Sequence, residues 1–127
     1  MTPTDDMVKA FAMRHAMVSF ENPQQIAIAC EVCQSVVLDN GAFSAWTKEK
    51  PYDFDGFAAW VEAWIRHPAV EWCVIPDKID GSEADNDALL RDWSMPASVS
   101  VPVYHMHESI DRLARLAADY PRVALGS

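Results

Sequence analysis

Four apolar runs of this chain are each followed by a polar residue or a glycine that could meet a ligand. Asp39 follows the run SVVL, Asp77 follows WCVIP, His105 follows VSVPVY and Gly126 follows RVAL. Carboxylate and imidazole groups are the usual side chains for general acid–base chemistry. In a parallel α/β fold, the carboxyl ends of the strands meet at one edge of the sheet, where ligands and catalytic groups gather. The four positions therefore predict a single site.

The segment DNGAF, residues 39–43, is the most informative part of this set. Asp39 can exchange a proton or hydrogen-bond the edge of a base. Gly41 lets the backbone approach a ligand closely, and Phe43 offers a flat apolar surface to a planar ring. Taken alone, Asp39 also fits a turn residue and Phe43 an ordinary core residue. The set of strand ends, rather than one residue, favours a site.

Amphipathic stretches separate the apolar runs and identify those runs as strands between helices. The predicted helices are Thr2–Met13, Asn22–Cys33, Phe54–Arg66, one capped by Ser82 with Asp85, and one capped by Ser109. Nearly continuous apolar strands joined by helices are typical of a parallel sheet with right-handed crossovers. We predict a single α/β domain over residues 1–127 with about five parallel strands, an incomplete (β/α) barrel of the TIM type. An open doubly wound sheet is the alternative.

The segment DNGAFSAW, residues 39–46, resembles the strand-end motif of the tRNA-guanine transglycosylases. It is more similar still to the DSGAFSAW motif of phage and bacterial relatives, among them the DpdA-type enzymes that insert 7-deazaguanines into DNA. The later segments VIPD, VPVYH and VALGS follow in the order that the family shows. The resemblance covers the chain from about His15 to its end, and DNGAFSAW is its most specific part.

The resemblance implies a role for each matching residue. Asp39 would be the catalytic acid–base residue that assists base exchange, and Phe43 the aromatic residue that stacks on the base. Asp77 would be the carboxylate that accepts hydrogen bonds from the amino and ring N–H groups of a guanine-like base. A carboxylate that accepts two such donors discriminates strongly between bases.

Four further positions complete the implied base-binding site. Asn40 stands where the family usually has serine, and Gly41 is the glycine of the motif. His105 stands where the family has a polar contact to the base, usually glutamine, and Gly126 matches a glycine whose backbone meets the base. The implied ligand is guanine or a 7-deazaguanine, within DNA or tRNA. No cofactor and no metal ligand set is predicted.

The family's nucleophilic aspartate and its Cys/His zinc site lie on later elements than those that match Gly126 and Ser127. The resemblance therefore predicts a base pocket without the nucleophile, inactive when alone. Half a barrel exposes sheet edges and apolar surface. We accordingly expect a homodimer, or a partner that completes the barrel.

Composition limits the other function classes. The formal charge is −9, from 10 basic and 19 acidic side chains, which argues against an extensive nucleic-acid interface but allows a small pocket. No apolar run approaches the ~20 residues of a membrane span, and the expected location is the cytoplasm.

Cys30 and Cys33 form a CxxC within the apolar run IAIACEVC. Without a second CxxC or a histidine pair, core cysteines are favoured over zinc or redox chemistry.

Two alternative functions remain open at this point. The first is a non-catalytic binding or interaction module of the same fold, which the missing nucleophile and the acidic charge favour. The second is a metal-assisted hydrolase that uses Asp39, Asp77, His105 and His107. The two histidines share a face only if the strand continues through His107, and Pro102 together with the following helix argues against that.

Overall fold

The computed structural model describes residues 14–126. The predicted helix Thr2–Met13 and the residue Ser127 lie outside this range. The strands are β1 (His15–Ser19), β2 (Ser35–Asp39), β3 (Val70–Val74), β4 (Ser100–Val101), β5 (Val103–His105) and β6 (Ala124–Gly126). Their pairing is parallel throughout, in the order β1-β2-β3-β4 for one sheet and β5-β6 for the other. The parallel α/β architecture is thus confirmed, and no closed barrel is formed within the described range.

Pro102 divides the predicted strand Val99–Tyr104 into β4 and β5. A proline has no amide hydrogen and therefore breaks the ladder of backbone hydrogen bonds. On either side of the break the strand has a different neighbour. Val101 accepts a hydrogen bond from the amide of Ile75 at 2.8 Å, and Pro102 accepts one from the amide of Ala124 at 2.9 Å. The run β4–β5 therefore links the two sheets, and the carboxyl ends of all strands point the same way.

The helices are α1 (Ile26–Val32), α2 (Ala42–Thr47), α3 (Phe54–Trp64), α4 (Glu83–Asp92) and α5 (Ile110–Asp119), with 3₁₀ turns at Pro23–Gln25 and Ala97–Val99. The caps predicted at Ser82 with Asp85, and at Ser109, are confirmed by side-chain hydrogen bonds to the first turns of α4 and α5. Asp53 caps α3 in the same way. Asn22 makes no such bond. Because α1 is preceded by a 3₁₀ turn, the predicted helix Asn22–Cys33 begins less regularly than expected.

The core lies between one face of the sheet and the helices. Val36, Leu38 and Cys73 from the sheet pack with Phe57 and Val61 of α3. The other core residues are Val18, Ile26, Ala29, Cys30 and Val70. Cys30 and Cys73 are buried, Cys33 is half-buried, and all three are free thiols. The prediction that Cys30 and Cys33 are core residues is therefore confirmed for Cys30, whereas Cys33 packs half-buried against the core.

The opposite face of the sheet is apolar and only partly covered by the described residues. Met17, Val37 and Trp72 stand in register across β1, β2 and β3. Met17 is largely exposed. The guanidinium of Arg122 lies 4.3 Å from the centre of the Trp72 ring, a cation–π contact that covers part of this face. The described helices thus leave a substantial apolar surface open.

Candidate functional site

A cleft of about 350 Å³ lies at the carboxyl ends of the strands. It is lined by six of the seven residues predicted from the sequence, namely Asp39, Asn40, Phe43, Asp77, His105 and Gly126. The seventh, Gly41, lines an adjoining depression together with Asn40. Ligand pockets commonly range from roughly 300 to 1,000 Å³, so the cleft is large enough for a small planar ligand.

Asn40 ties three elements together at the floor of the cleft. Its Nδ2 donates to the carbonyl of Ile75 and to Oδ1 of Asp77, both at 2.8 Å. Its Oδ1 accepts from the amide of Ala42, also at 2.8 Å, and so closes the turn that leads into α2. The residue is 4 % exposed. Because both amide hydrogens of Asn40 are used within the protein, this residue positions Asp77.

Gly41 shapes the turn that follows β2. Its φ of +70° lies in the left-handed region that favours glycine. A Cβ at this position would lie 3.2 Å from the amide nitrogen of Glu21 and 3.3 Å from Oγ of Ser19. The Gly41 amide also donates to Oδ2 of Asp39 at 3.1 Å. The glycine therefore permits a close approach to the end of β1 and orients the Asp39 carboxylate.

This turn leads into α2, a helix that the sequence reasoning did not predict. Residues 39–46 were assigned as a strand-end motif, whereas residues 42–47 are helical. The helix is only six residues long, too short to show an amphipathic period. The sequence feature that could have indicated a change of direction before this helix is Asn40 followed by Gly41, since this pair is frequent at turns.

Asp77 is the most deeply placed carboxylate of the cleft, with a side chain that is 8 % exposed. Its Oδ1 accepts the hydrogen bond from Asn40, and its Oδ2 lies 2.8 Å from Nε2 of His105. Burial raises the pKa of Asp77 above its usual range, and the contacts with Asn40 and His105 offset part of that rise. The nearby charge of Asp39 raises the Asp77 pKa further.

His105 is buried against Asp77 and Gly126, and only 1 % of it is exposed. The contact between its Nε2 and Asp77 has the distance of an ion pair but not the alignment of a good hydrogen bond. Its Nδ1 has no hydrogen-bond partner among residues 14–126. A Cβ on Gly126 would lie 3.0 Å from that nitrogen. Gly126 therefore lets β6 pack against the imidazole ring.

Two buried polar residues outside the predicted set hold the loops of the site. Asn86 of α4 accepts from the amide of Lys78 at 2.7 Å and donates to the carbonyl of the same residue at 3.3 Å. This pair of bonds fixes the backbone directly after Asp77. In the sequence, Asn86 is a polar residue on the helix face that also carries Leu89 and Leu90. A polar residue on an otherwise apolar face is the feature that could have identified Asn86.

Arg112 of α5 is the second of these residues, and its side chain is fully buried. Its guanidinium donates to the carbonyl of Val103 at 3.1 Å, to Glu108 at 3.0 Å and to Asp87 at 3.1 Å. Glu108 also accepts from the amide of His105 at 2.6 Å. A buried arginine needs such partners because an unpaired charge is costly to bury. The network anchors β5 and thus His105.

Two aromatic rings stand at the rim of the cleft. Phe43 is 59 % exposed and Trp46 is 47 % exposed, with ring centroids 6.0 Å apart. Apolar rings of this size are normally covered in a soluble domain, so exposed ones beside a cleft mark a contact surface. Phe43 is therefore a surface ring at the cleft rather than a core residue.

A second cavity of about 350 Å³ adjoins the cleft and shares Asp77 and Ile79 with it. Its other lining residues include Trp46, Lys50, Tyr52, Phe54 and Lys78. The Tyr52 hydroxyl donates to the carbonyl of Asn40. Burial, together with the charges of Asp39, Asp77 and Asp53, raises the pKa of Tyr52, so this hydroxyl stays protonated. Neither lysine has an ion-pair partner within the part of the chain that is described.

The four residues of the metal-hydrolase hypothesis do not form a metal site. Across residues 14–126, no group of three or more histidine, cysteine or acidic side chains is arranged to hold a metal ion. His107 stacks on His105 with ring centroids 5.8 Å apart, and its Nε2 lies 3.3 Å from the carbonyl of Gly81. Because the strand ends at His105, the two imidazoles do not point into the cleft as a ligand pair.

None of the helices described for residues 14–126 is long and apolar enough to cross a membrane. Comparison of the chain with protein-family models, with curated proteins and with solved structures finds no match.

Proposed function

We propose that this chain is a nucleobase-binding module of the tRNA-guanine transglycosylase type, with the cleft as the site for guanine or a 7-deazaguanine. The observation that carries the proposal is the placement of Asp77, a carboxylate held by Asn40 at the floor of a cleft whose rim bears the exposed ring of Phe43. A planar base with two neighbouring N–H donors complements this combination of an acceptor and an apolar surface.

Each cleft residue has a distinct part in the proposed binding. The remaining lone pairs of Asp77 accept from the amino and ring N–H groups of the base, since a carboxylate offers about four acceptor sites in total. Phe43 stacks on the ring, and Asp39 acts at the opposite edge as an acid–base group. In a buried site a base that lacks the two donors leaves the carboxylate unpaired, and this gives the discrimination.

We further propose that the parallel sheet is part of a (β/α) barrel. Support comes from the sequential order of β1 to β4, from the β5-β6 pair that continues it, and from the location of the cleft at the carboxyl ends. The apolar face that contains Met17 and Trp72 would then be the barrel interior. A second copy or another chain that covers this face is the proposed partner, and sedimentation equilibrium at several concentrations tests for it.

Base exchange also requires a nucleophile that holds the sugar. Among the described residues, the carboxylates that line the cleft are Asp39 and Asp77, and the resemblance gives both of them other roles. The proposal for the isolated chain is therefore base binding, with exchange dependent on a nucleophile from elsewhere. A non-catalytic binding module is the second candidate, and the same observation favours it.

The adjoining cavity supports a polynucleotide as the carrier of the base. Lys50 and Lys78 are cations without partners in the described range, and Trp46 and Phe54 add aromatic surface. Aromatic rings next to cations are the usual means of binding single-stranded nucleic acid. With a formal charge of −9, the rest of the chain disfavours phosphate. The polymer is thus expected to contact the protein mainly here.

Isothermal titration of the purified chain with guanine, with the 7-deazaguanines preQ0 and preQ1, and with adenine tests the proposal. We expect saturable binding of the guanine-type bases and at least about tenfold weaker binding of adenine, because a charged hydrogen bond is worth about 1.5–3 kcal/mol. Asp77→Asn and Asp39→Asn should each weaken binding, whereas Glu62→Gln, at an exposed position of α3 that lines neither the cleft nor the adjoining cavity, should not. Equal affinity for guanine and adenine would contradict the assignment of Asp77.

A further inference from the structure

His105 and Asp77 form a buried pair. The groups around this pair do not determine whether the imidazole ring of His105 is protonated. Nε2 of His105 lies 2.8 Å from Oδ2 of Asp77, and both side chains are almost completely buried. Nδ1 of the same ring faces Gly126 and has no partner among the described residues. A protonated ring therefore pairs with the carboxylate through Nε2 but leaves a charged N–H buried without an acceptor. A neutral ring avoids that cost and leaves the Asp77 charge uncompensated.

Charged groups on the neighbouring elements act on this pair in opposite directions. Asp39 at the end of β2 adds negative charge beside Asp77, which favours a proton on the pair. Glu108 binds the backbone amide of His105, but Arg112 neutralises it at 3.0 Å. His107 stacks on the ring and adds positive charge when it is protonated. The residues of β6, Ala124–Gly126, contribute no titratable side chain.

We propose that His105 is a positioning residue whose proton controls how strongly Asp77 accepts hydrogen bonds from the base. This inference rests on the proposed base-binding function. When the pair holds its proton, the imidazolium competes with the ligand for Oδ2 of Asp77. When the pair has released it, the imidazolium no longer compensates the carboxylate charge, and the N–H donors of the base stabilise that charge instead. Base binding and protonation of the pair therefore oppose each other.

The proton balance of this step gives a measurable consequence. A neutral base that binds to the protonated pair displaces up to one proton into the solvent, and no covalent bond changes. By linkage, affinity rises with pH by at most tenfold per pH unit while the pair is protonated, and levels off once the proton is lost. The range from pH 5 to 8 is the one to be searched, because histidine side chains ordinarily change charge there.

The test compares the chain with its His105→Gln variant by titration with guanine from pH 5 to 8, in two buffers of different ionisation enthalpy. A glutamine amide can place a donor near Oδ2 but does not titrate. We expect affinity to rise with pH and binding to release protons in the wild-type chain. In His105→Gln only Asp77 remains to titrate, so the pH interval over which affinity rises should move. His107→Gln is the matched control, which should keep the pH dependence. The same pH dependence in His105→Gln would overturn the inference.

A ligand-free measurement separates this inference from the proposed function. The ring of His105 is followed by NMR from pH 5 to 8 in the wild-type chain and in Asp77→Asn, a substitution that keeps the shape of the side chain. Because an anionic neighbour favours the imidazolium, the midpoint should fall in Asp77→Asn. A midpoint that does not move, or a ring that does not titrate in this interval, would overturn the inference whether or not guanine binds. Absence of guanine binding at every pH would instead refute the proposed function.

Discussion

Replacement of Asn40 by alanine should destabilise the whole floor of the cleft. The side chain makes three hydrogen bonds of 2.8 Å, to the Ile75 carbonyl, the Ala42 amide and Asp77. Neutral bonds contribute about 0.5–1.5 kcal/mol each and a bond to a charged group about 1.5–3 kcal/mol. The free energy of unfolding should therefore fall by about 2.5–6 kcal/mol, a large share of the ~5–15 kcal/mol typical of a domain.

Urea denaturation at pH 7, followed by circular dichroism and tryptophan fluorescence, measures this loss. The single variants Asn40→Ala and Asp77→Ala and the corresponding double variant form a cycle that isolates the charged bond. We expect a coupling energy of about 1.5–3 kcal/mol between the two positions. A loss below about 1 kcal/mol for Asn40→Ala, or additive effects in the cycle, would refute the role of Asn40 as the residue that holds Asp77.

Three other perturbations test separate parts of the structure. Gly126→Ala should lower the free energy of unfolding by about 1–3 kcal/mol, measured in urea, because its Cβ would lie 3.0 Å from the ring of His105. Lys50→Gln and Lys78→Gln should each reduce the salt dependence of single-stranded oligonucleotide binding, with a slope change of about 0.7, and leave free guanine unaffected. Lys48→Gln, whose lysine pairs with Glu21, is the control that should change neither. Because burial raises the pKa of Asp77, ionisation of this carboxyl group opposes folding. The free energy of unfolding of the wild-type chain, relative to Asp77→Asn, should therefore be greatest at low pH and fall as the pH rises through the raised pKa. Urea denaturation of both proteins from pH 3 to 8 measures this difference.

The meeting of the cleft residues was predictable because it follows from strand direction alone. Once the runs before Asp39, Asp77 and His105 are assigned as parallel strands, their carboxyl ends must lie at one edge of the sheet. The capping residues Ser82 and Ser109 were equally accessible, since a helix start is determined within four residues. These features depend on local pattern or on topology, and the sequence contains both.

The partners of individual side chains were not predictable from the same patterns. Asn40 binds residues 35 and 37 positions later in the chain, and no local period encodes contacts at such separation. Arg112 carries a charge, which is typical of surface residues, yet it is buried and holds β5. The break at Pro102 was visible as a residue, but the change of neighbouring strand there depends on the packing of the whole sheet.

The two positions that depart from the transglycosylase pattern, Asn40 and His105, contact the same carboxylate. Asn40 occupies one oxygen of Asp77 and His105 lies against the other. A serine hydroxyl has a single hydrogen to donate, so a serine at position 40 could not donate to both Ile75 and Asp77 as Asn40 does. One lone pair of Oδ1 is thus already engaged, and Oδ2 lies beside the His105 imidazole. Under the proposed function, the affinity of Asp77 for a base would then depend on how readily Asn40 and His105 leave these oxygens to the ligand.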